Sequence, residues 1–392
     1  AVAAVLAAAT GGTAPTLEQL QALGVAGVTA ETLKAIQEAI AATGSTGAVD
    51  SFSELQGVVD AGIAAKATAV TLIKDYAQGN TTGLVNATGT APTDTTFATA
   101  GVIGVTSGNL AAIQDALASS AVNGAAVDTT GEIQTLVDAY KDILAAADGT
   151  DANTTGAAVP NLTDYQAIGI TGATTDSAAL LSDVIDGKAN ADVDTVTEVQ
   201  TLADAVKAAV TYTAANGQTA PTAAQLNVLL AGQTSGGSAV PAVTADNQAA
   251  VQAAVAAANA SAPAIASQSE LADVVKAAVD AYAAAIDKIA DYAETGAVAP
   301  AYTDYAAAGV IGVDATNVAA INSAINAQAG ADTTVGNAND RDGADTAAKV
   351  QTIVDAYKDI LVAADGTDAN TSGAAIPSQA DYQAIGITGT TA

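Results

Sequence analysis

The sequence lacks several residue types on which protein chemistry commonly depends. None of its 392 residues is cysteine, histidine, tryptophan or methionine. Without cysteine and histidine, the chain has no disulfides, no thiolate nucleophile, no imidazole base and none of the usual zinc or iron–sulfur ligands. We therefore predict that the protein is not an enzyme. The absence of cysteine is also common in secreted bacterial proteins and favours an extracellular location.

Basic residues are scarce as well. The chain has 11 basic and 41 acidic residues, which gives a net charge of -30. A charge of this sign repels nucleic-acid phosphates and anionic lipid surfaces. No segment has the run of about 18 apolar residues that a membrane-spanning helix requires. The sequence therefore predicts no nucleic-acid partner and no membrane insertion.

What the sequence does contain is internal repetition. Residues 131–172 and 348–389 align without a gap and are identical at 32 of 42 positions. A proline followed by a Gly-x-x-Gly turn recurs along the chain, and a degraded form stands at Pro221. Successive prolines are 77, 68, 61, 79 and 77 residues apart, which is in the range of helical repeats. We number the copies 1 to 6 by these anchor prolines: Pro15, Pro92, Pro160, Pro221, Pro300 and Pro377.

Each copy is predicted to contain three helices. The first is long, with apolar residues at helical spacing such as Ile133, Leu136 and Tyr140. Copy 6 has Lys349 where the glutamate of an N-terminal capping box is expected, so its cap should be weaker. The other four predicted long helices start at complete capping boxes: Ser51/Glu54, Thr129/Glu132, Thr195/Glu198 and Ser267/Glu270. The predicted first helices are 53–78, 132–147, 198–214, 270–294 and 349–364.

The anchor proline of each copy can open a short second helix, such as 16–23 or 162–168. The glycine after it can adopt the left-handed conformation that ends a helix. Third helices are predicted at 31–42, 109–119, 177–186, 247–258 and 317–327. No segment shows a convincing alternation typical of β-strands.

These patterns predict an all-α chain of tandem three-helix repeats of about 61–79 residues. The repeats stack into an elongated rod or solenoid, or form a string of separate bundles. Because three helices with few aromatic residues make a small core, we favour stacking. The predicted repeats are 1–50 (partial), 51–128, 129–194, 195–266 (degenerate), 267–344 and 345–392 (partial). We expect either a piece of a longer array or ends that complete each other head to tail.

Two sets of residues carry a family resemblance. One is the segment 180–203. The other is a Gly-Val-Ile-Gly-Val string followed by Asn-Leu/Val-Ala-Ala-Ile, which occurs at 100–113 and 308–321. They resemble tandem Ala-rich repeats of very large secreted surface or biofilm adhesin-like proteins of Gram-negative bacteria. The resemblance implies a structural or adhesive extracellular protein, such as a stalk, fibre or matrix component that associates with itself, and it implies no catalytic residues. The alternative is a surface module, including a surface-layer protein, that binds calcium or a glycan through acidic loops or the groove between repeats.

The candidate calcium sites are acidic loops: two identical loops at 148–153 and 365–370, and two others at 190–194 and 337–345. Carboxylate and amide oxygens are the donors that calcium prefers, and none of these loops follows the EF-hand pattern. Turn shaping and helix capping are the other interpretation, and the one we favour. Two tyrosine pairs, Tyr140/Tyr357 and Tyr165/Tyr382, are candidate sugar platforms, but we expect them in the core with hydroxyls at the surface. The candidate metal ligands are Asp148, Asp151, Asn153, Asp365, Asp368 and Asn370.

Overall fold

The computed structural model describes residues 1–78, 90–149, 159–213, 215, 217–261, 264–327, 343–364, 376–387 and 389. The chain divides into two compact units, Ala1–Asp204 and Ala205–Ala392. Both units are mostly helical, which confirms the all-α class. In the described ranges the regular β-structure is one antiparallel pair of two-residue strands, β1 (Thr234–Ser235) and β2 (Ser238–Ala239). The sequence did not predict this hairpin.

The helices are of three kinds, and they follow one another in the same order along the chain. Every predicted first and third helix is present, with ends within three residues of the prediction. The first kind comprises α1 (Val2–Ala8), α4 (Phe52–Gln78), α7 (Thr130–Ala146), α10 (Val196–Thr211), α13 (Gln268–Thr295) and α16 (Ala347–Ala363). The second comprises α2 (Leu17–Ala22), α5 (Asp94–Thr99), α8 (Leu162–Ala167), α11 (Ala223–Leu229), α14 (Tyr302–Ala307) and α17 (Gln379–Ala384). The third comprises α3 (Ala30–Ala42), α6 (Leu110–Ala118), α9 (Thr175–Asp186), α12 (Gln248–Asn259) and α15 (Val318–Asn326).

The capping boxes set the starts of the long helices. In α7, the Thr129 hydroxyl accepts from the Glu132 N–H at 3.2 Å, and the Glu132 carboxylate accepts from the Thr129 N–H at 3.0 Å. The same reciprocal pairs start α4, α10 and α13 as predicted. In α16 only half of the box remains, because Lys349 cannot accept and instead forms a 2.7 Å ion pair with Asp345.

In the first unit, a long helix divides its length between two groups of packed residues. Val5, Leu20 and Ile36 of α1, α2 and α3 form one core with Leu55 and Val59 from the first half of α4. The same helix also packs against α5, α6 and the 3-10 turn Gly124–Ala126, where Lys74 and Gln78 of its second half lie beside Gly124. The core of one predicted repeat is therefore completed by the first half of the next long helix.

The second unit contains the same combination of elements. Its core joins Ile289 from the second half of α13 to Tyr305 of α14, Ile321 of α15 and Val350 of α16. The same helix also packs against α12, and Gln268 at its start donates to the Leu229 carbonyl before it in the chain. Long helices in both units thus contribute to the packing on either side of them. The division of the chain into six repeats, and their arrangement as a rod, stay predictions.

Candidate functional site

A glutamine near the start of a long helix joins that helix to the glycine turn of the preceding copy. Gln134 Oε1 accepts from the Ile103 N–H at 2.8 Å, and Gln134 Nε2 donates to the Ile103 carbonyl at 3.0 Å. The same amide nitrogen donates to Asp138 at 3.0 Å, which fixes the rotamer of the glutamine. We call this set of bonds the glutamine clamp. It recurs at Gln56/Ala26/Asp60, Gln200/Thr171/Asp204 and Gln351/Ile311/Asp355.

The turn of copy 4, which the long helix of copy 5 contacts, has no glutamine clamp. The long helix α13 has Ala272 where the other copies have the clamp glutamine. The β1–β2 hairpin stands in place of the turn, and the Ser235 hydroxyl bonds the Asp273 carboxylate at 2.6 Å. Gln268, one turn earlier, donates to the Leu229 carbonyl. The connection between copies is therefore kept with different residues where the sequence pattern is degraded.

A second recurring bond lies inside each copy. A polar side chain on the third helix donates to the carbonyl of the anchor proline, as Gln114 does to Pro92 at 2.8 Å and Asn322 to Pro300 at 2.8 Å. The corresponding pairs are Gln37/Pro15, Ser182/Pro160 and Gln252/Pro221. This bond satisfies a carbonyl at the entry to the second helix, and it holds the second and third helices together.

The identity of that polar residue depends on its neighbour in the core. Five residues after the anchor proline stands a large side chain with 0 % exposure: Leu20, Phe97, Tyr165, Leu226 or Tyr305. Where it is tyrosine, the third helix carries the shorter Ser182 or Asn322, whose side chains bond the tyrosine hydroxyls at 2.9 and 2.6 Å. Where it is leucine or phenylalanine, the third helix carries glutamine. Because interiors are close-packed, the tyrosine hydroxyl occupies space that the longer amide needs. We call this pairing the tyrosine–short-residue rule.

The tyrosines are buried with their hydroxyls. Tyr140 has 0 % exposure, and its hydroxyl donates to the Val193 carbonyl at 3.1 Å. Burial, assisted by nearby carboxylates, raises the pKa of Tyr140, and burial likewise raises the pKa of Tyr165. Core placement is confirmed for both residues, but the expectation that their hydroxyls reach the surface was wrong. Ser182 lies on a predicted third helix, 177–186, whereas Val193 lies after that helix, outside the predicted helices.

One of the six candidate metal ligands, Asp148, lies in the described part of the chain. Its N–H donates to the Ala146 carbonyl at 2.8 Å, and the N–H of the next residue, Gly149, donates to the Lys188 carbonyl at 2.8 Å. The first bond closes the turn at the end of α7, and the second attaches that turn to the one that follows α9. The other five candidates, Asp151, Asn153, Asp365, Asp368 and Asn370, lie outside the described residues.

The acidic turn facing Asp148 has a structural role. The Asp192 carboxylate accepts from the Ala189 N–H at 3.1 Å. The Asn190 amide, when oriented with its nitrogen toward the helix, donates to the Leu144 and Ala147 carbonyls at the end of α7. Within the ranges that the structure describes, no three His, Cys, Asp or Glu side chains are grouped to hold a metal ion. The calcium hypothesis remains untested, and Asn190 and Asp192 act as helix and turn caps.

The first unit also contains a groove that sequence analysis did not locate. Its volume is about 600 Å³, and it lies among the end of α6, the turn at 169–171 and the start of α10. The Asp115 carboxylate closes one side by accepting from the Val196 N–H at 2.7 Å, a contact across 81 positions of the chain. No lysine or arginine is among its lining residues, which are Asp115, Ala118, Ser119, Ser120, Ala121, Gly169, Thr171, Val196, Thr197, Gln200, Thr201 and Asp204. Hydroxyls and carboxylates suit a neutral, hydroxyl-rich ligand and disfavour an anion.

No protein-family model, no curated protein and no solved structure matches this chain. Among the helices that the structure describes, none combines the length and the apolar character needed to cross a membrane.

Proposed function

We propose that the chain is a structural or adhesive component of the outside of a bacterial cell, built from helical repeats that stack into an elongated rod. The rod provides length and spacing, as a stalk, fibre or matrix component, and it associates with further repeats. The observation that carries this proposal is the glutamine clamp. In four places, one copy's long helix holds the preceding copy's turn through the same two hydrogen bonds from a glutamine side chain.

The division of the long helices supports continuous stacking over a string of separate bundles. In the first unit, α4 gives its first half to the core of α1–α3 and also packs against α5 and α6. Separate bundles would each need a complete set of helices of their own. Stacked repeats gain stability from the interfaces between neighbours, which suits copies whose individual cores are small.

The composition of the surface supports a solubilising and spacing role. Lys34, Lys141 and Lys276 each form an ion pair with an acidic residue one helical turn away. These pairs leave most of the net charge of -30 without a basic partner. Such an excess of one sign keeps long assemblies soluble and apart from nucleic acid.

Small-angle X-ray scattering of the full chain tests the rod. A compact globule of 392 residues has a radius of gyration of about 21 Å. We expect a clearly larger value and a distance distribution with a long tail. A variant with Gln134 and Gln200 replaced by Ala should bend more readily and give a shorter maximum dimension. A radius near that of a globule would refute the proposal.

A second candidate function is binding of a neutral glycan in the groove of the first unit. The groove has a volume typical of ligand sites, and its lining combines hydroxyl groups with two carboxylates. NMR titration with neutral oligosaccharides should shift the amide signals of Thr171 and Thr197. Replacing Thr197 by Val should weaken those shifts, whereas replacing Thr68, an exposed threonine on α4, should not. Unchanged signals at both groove positions would reject this function.

A further inference from the structure

The third helices of copies 2 and 3 present nearly the same apolar side chains to the core. Ile113 and Leu117 of α6 have 0 % exposure, and the corresponding Leu181 and Ile185 of α9 have 1 % and 0 % exposure. Exchanges between leucine and isoleucine conserve volume, and cores tolerate them well. These apolar residues therefore do not distinguish α6 from α9.

The two helices also lie close to each other's sites. The long helix α7 packs against both α6 and α9, and it packs against α8, the second helix of copy 3. The turn after α8 meets the segment just after α6, since a Cβ on Gly169 would lie 2.9 Å from the Ala121 Cβ. Either third helix therefore comes near α8 as the chain folds. Misassembly between similar neighbours is a characteristic failure of repeat proteins.

A buried polar contact differs between the two copies. In copy 3, the Tyr165 hydroxyl lies 2.9 Å from the Ser182 Oγ, and Ser182 also donates to the carbonyl of the anchor proline. In copy 2, Phe97 has no hydroxyl, and the longer side chain of Gln114 donates to the anchor-proline carbonyl at 2.8 Å. Each third helix thus carries the polar residue whose length fits the second helix of its own copy.

An exchange of α6 and α9 would be unfavourable in both copies. Gln114 beside Tyr165 would overfill the core and compete for the space of the tyrosine hydroxyl. Ser182 beside Phe97 would leave a cavity where the glutamine amide had been. Overpacking, cavities and poorly paired buried groups each shift a folding equilibrium by about tenfold or more. The polar pair therefore discriminates where the apolar residues do not.

The same difference separates most neighbouring copies. Copies 1, 2 and 4 combine glutamine with leucine or phenylalanine, whereas copies 3 and 5 combine serine or asparagine with tyrosine. Copy 3 thus differs from the copies on both sides of it, and copy 5 differs from copy 4. A requirement for good packing alone would be met by one kind of pair in every copy.

We propose that this pair determines which third helix packs on which second helix, so that each third helix folds into its own copy. In the first unit, Tyr165 and Ser182 exclude α6 from the site of α9, and Phe97 and Gln114 exclude α9 from the site of α6. The inference goes beyond the proposed function, because it concerns how the first unit reaches its fold.

Refolding of the full chain from urea, followed by circular dichroism, tests the inference. In F97Y/Q114S, copies 2 and 3 carry the same kind of pair, and each pair is matched within its own copy. The urea midpoint should stay close to that of the unmodified chain, but refolding should gain a slow phase in which exchanged helices separate. Prolyl isomerase should not accelerate this phase, unlike phases that arise from the eight prolines.

The matched control is F97Y/Q114S/Y165F/S182Q, which exchanges the two pairs and keeps the copies different. It should refold without the added phase. Y165F/S182Q removes the difference in the opposite direction, and it serves as the test if F97Y/Q114S does not fold. This variant should also show the added phase.

A single mismatch measures the penalty on which the selection depends. S182Q should lower the equilibrium constant for folding about tenfold, and Y165F in the same chain should restore most of the loss, since it recreates the combination of copy 2. Equal stability of S182Q and Y165F/S182Q would overturn the inference, because exchange would then carry no penalty. Refolding of F97Y/Q114S and Y165F/S182Q without the added phase would overturn it as well, and so would the same phase in the matched control.

Discussion

Gly169 is the residue through which the turn of copy 3 meets the segment just after α6, the third helix of copy 2. Its φ is +89°, and a Cβ placed there would lie 2.9 Å from the Ala121 Cβ and 3.0 Å from the Ser119 Oγ. Gly24 occupies the corresponding place in copy 1 with φ +75°, but a Cβ there would meet nothing within 4 Å. The two glycines therefore share the left-handed backbone conformation, but only Gly169 packs closely against another copy.

Alanine substitution at both positions separates the two effects. Left-handed backbone costs an L-residue about 1–2 kcal/mol, and this should be the whole effect of Gly24→Ala. Gly169→Ala adds an overpacking cost of about 1–3 kcal/mol, so its total should be about 2–5 kcal/mol. Both residues lie in the first unit, so the comparison does not depend on the second.

Urea unfolding followed by circular dichroism measures the loss of stability in each variant. Hydrogen exchange at the end of α6 locates it, because the clash in Gly169→Ala falls on Ser119 and Ala121. We expect faster exchange there in Gly169→Ala and not in Gly24→Ala. Equal unfolding free energies, with no local difference in exchange, would show that the contact between copies 2 and 3 does not contribute to stability.

Three further predictions concern pH and calcium. The Thr129 hydroxyl lowers the pKa of Glu132 in the capping box. The ionised carboxylate therefore stabilises the folded chain above the ordinary glutamate pKa, and this stabilisation is lost as the pH falls through the lowered value. Glu132→Gln should make the urea midpoint less sensitive to acid. Burial raises the pKa of Tyr140. The neutral hydroxyl therefore stabilises the folded chain fully below the ordinary tyrosine pKa, and this stabilisation is lost as the pH rises above that value. Tyr140→Phe should cost about 1 kcal/mol at neutral pH yet lessen alkaline unfolding. Calorimetry with calcium should give no heat that depends on Asp148 and Asp151, because the described part of this region already uses its acidic turn for capping; heat that disappears when both are replaced by Asn would establish a metal site instead.

The helices were predictable because their signals are local. The start of α7 is set by Thr129 and Glu132, three residues apart, and its length follows from apolar residues at helical spacing. The β1–β2 hairpin was missed because its strands have two residues each, which is too short for an alternating pattern to appear. Its Gly236-Gly237 turn was the one available signal.

The connections between elements were harder to predict because their partners are far apart in sequence. Gln134 binds the backbone of Ile103, 31 positions earlier, and a backbone partner leaves no side-chain pattern. A signal did exist on the helix itself, since glutamine precedes aspartate by four residues wherever the clamp forms, and α13 lacks it. The tyrosine–short-residue rule was also present, as Tyr165 and Ser182 are 17 residues apart and so are Leu20 and Gln37. These spacings could be interpreted only once the packing of the second helix against the third was known, and the sequence does not show that packing.

The division of α4 between two cores also bears on how such a chain changes in evolution. Because the core boundary falls in the middle of a helix, a deletion of one full period joins the first half of one long helix to the second half of another. Each remaining core is then still formed by a long helix, a second helix, a third helix and the next long helix. The long helices already differ in length, with 27 residues in α4 and 17 in α7, so a fused helix need not match its parents closely. Recombination at matching positions of two copies would therefore keep every core complete, whatever the point within the period at which it occurs.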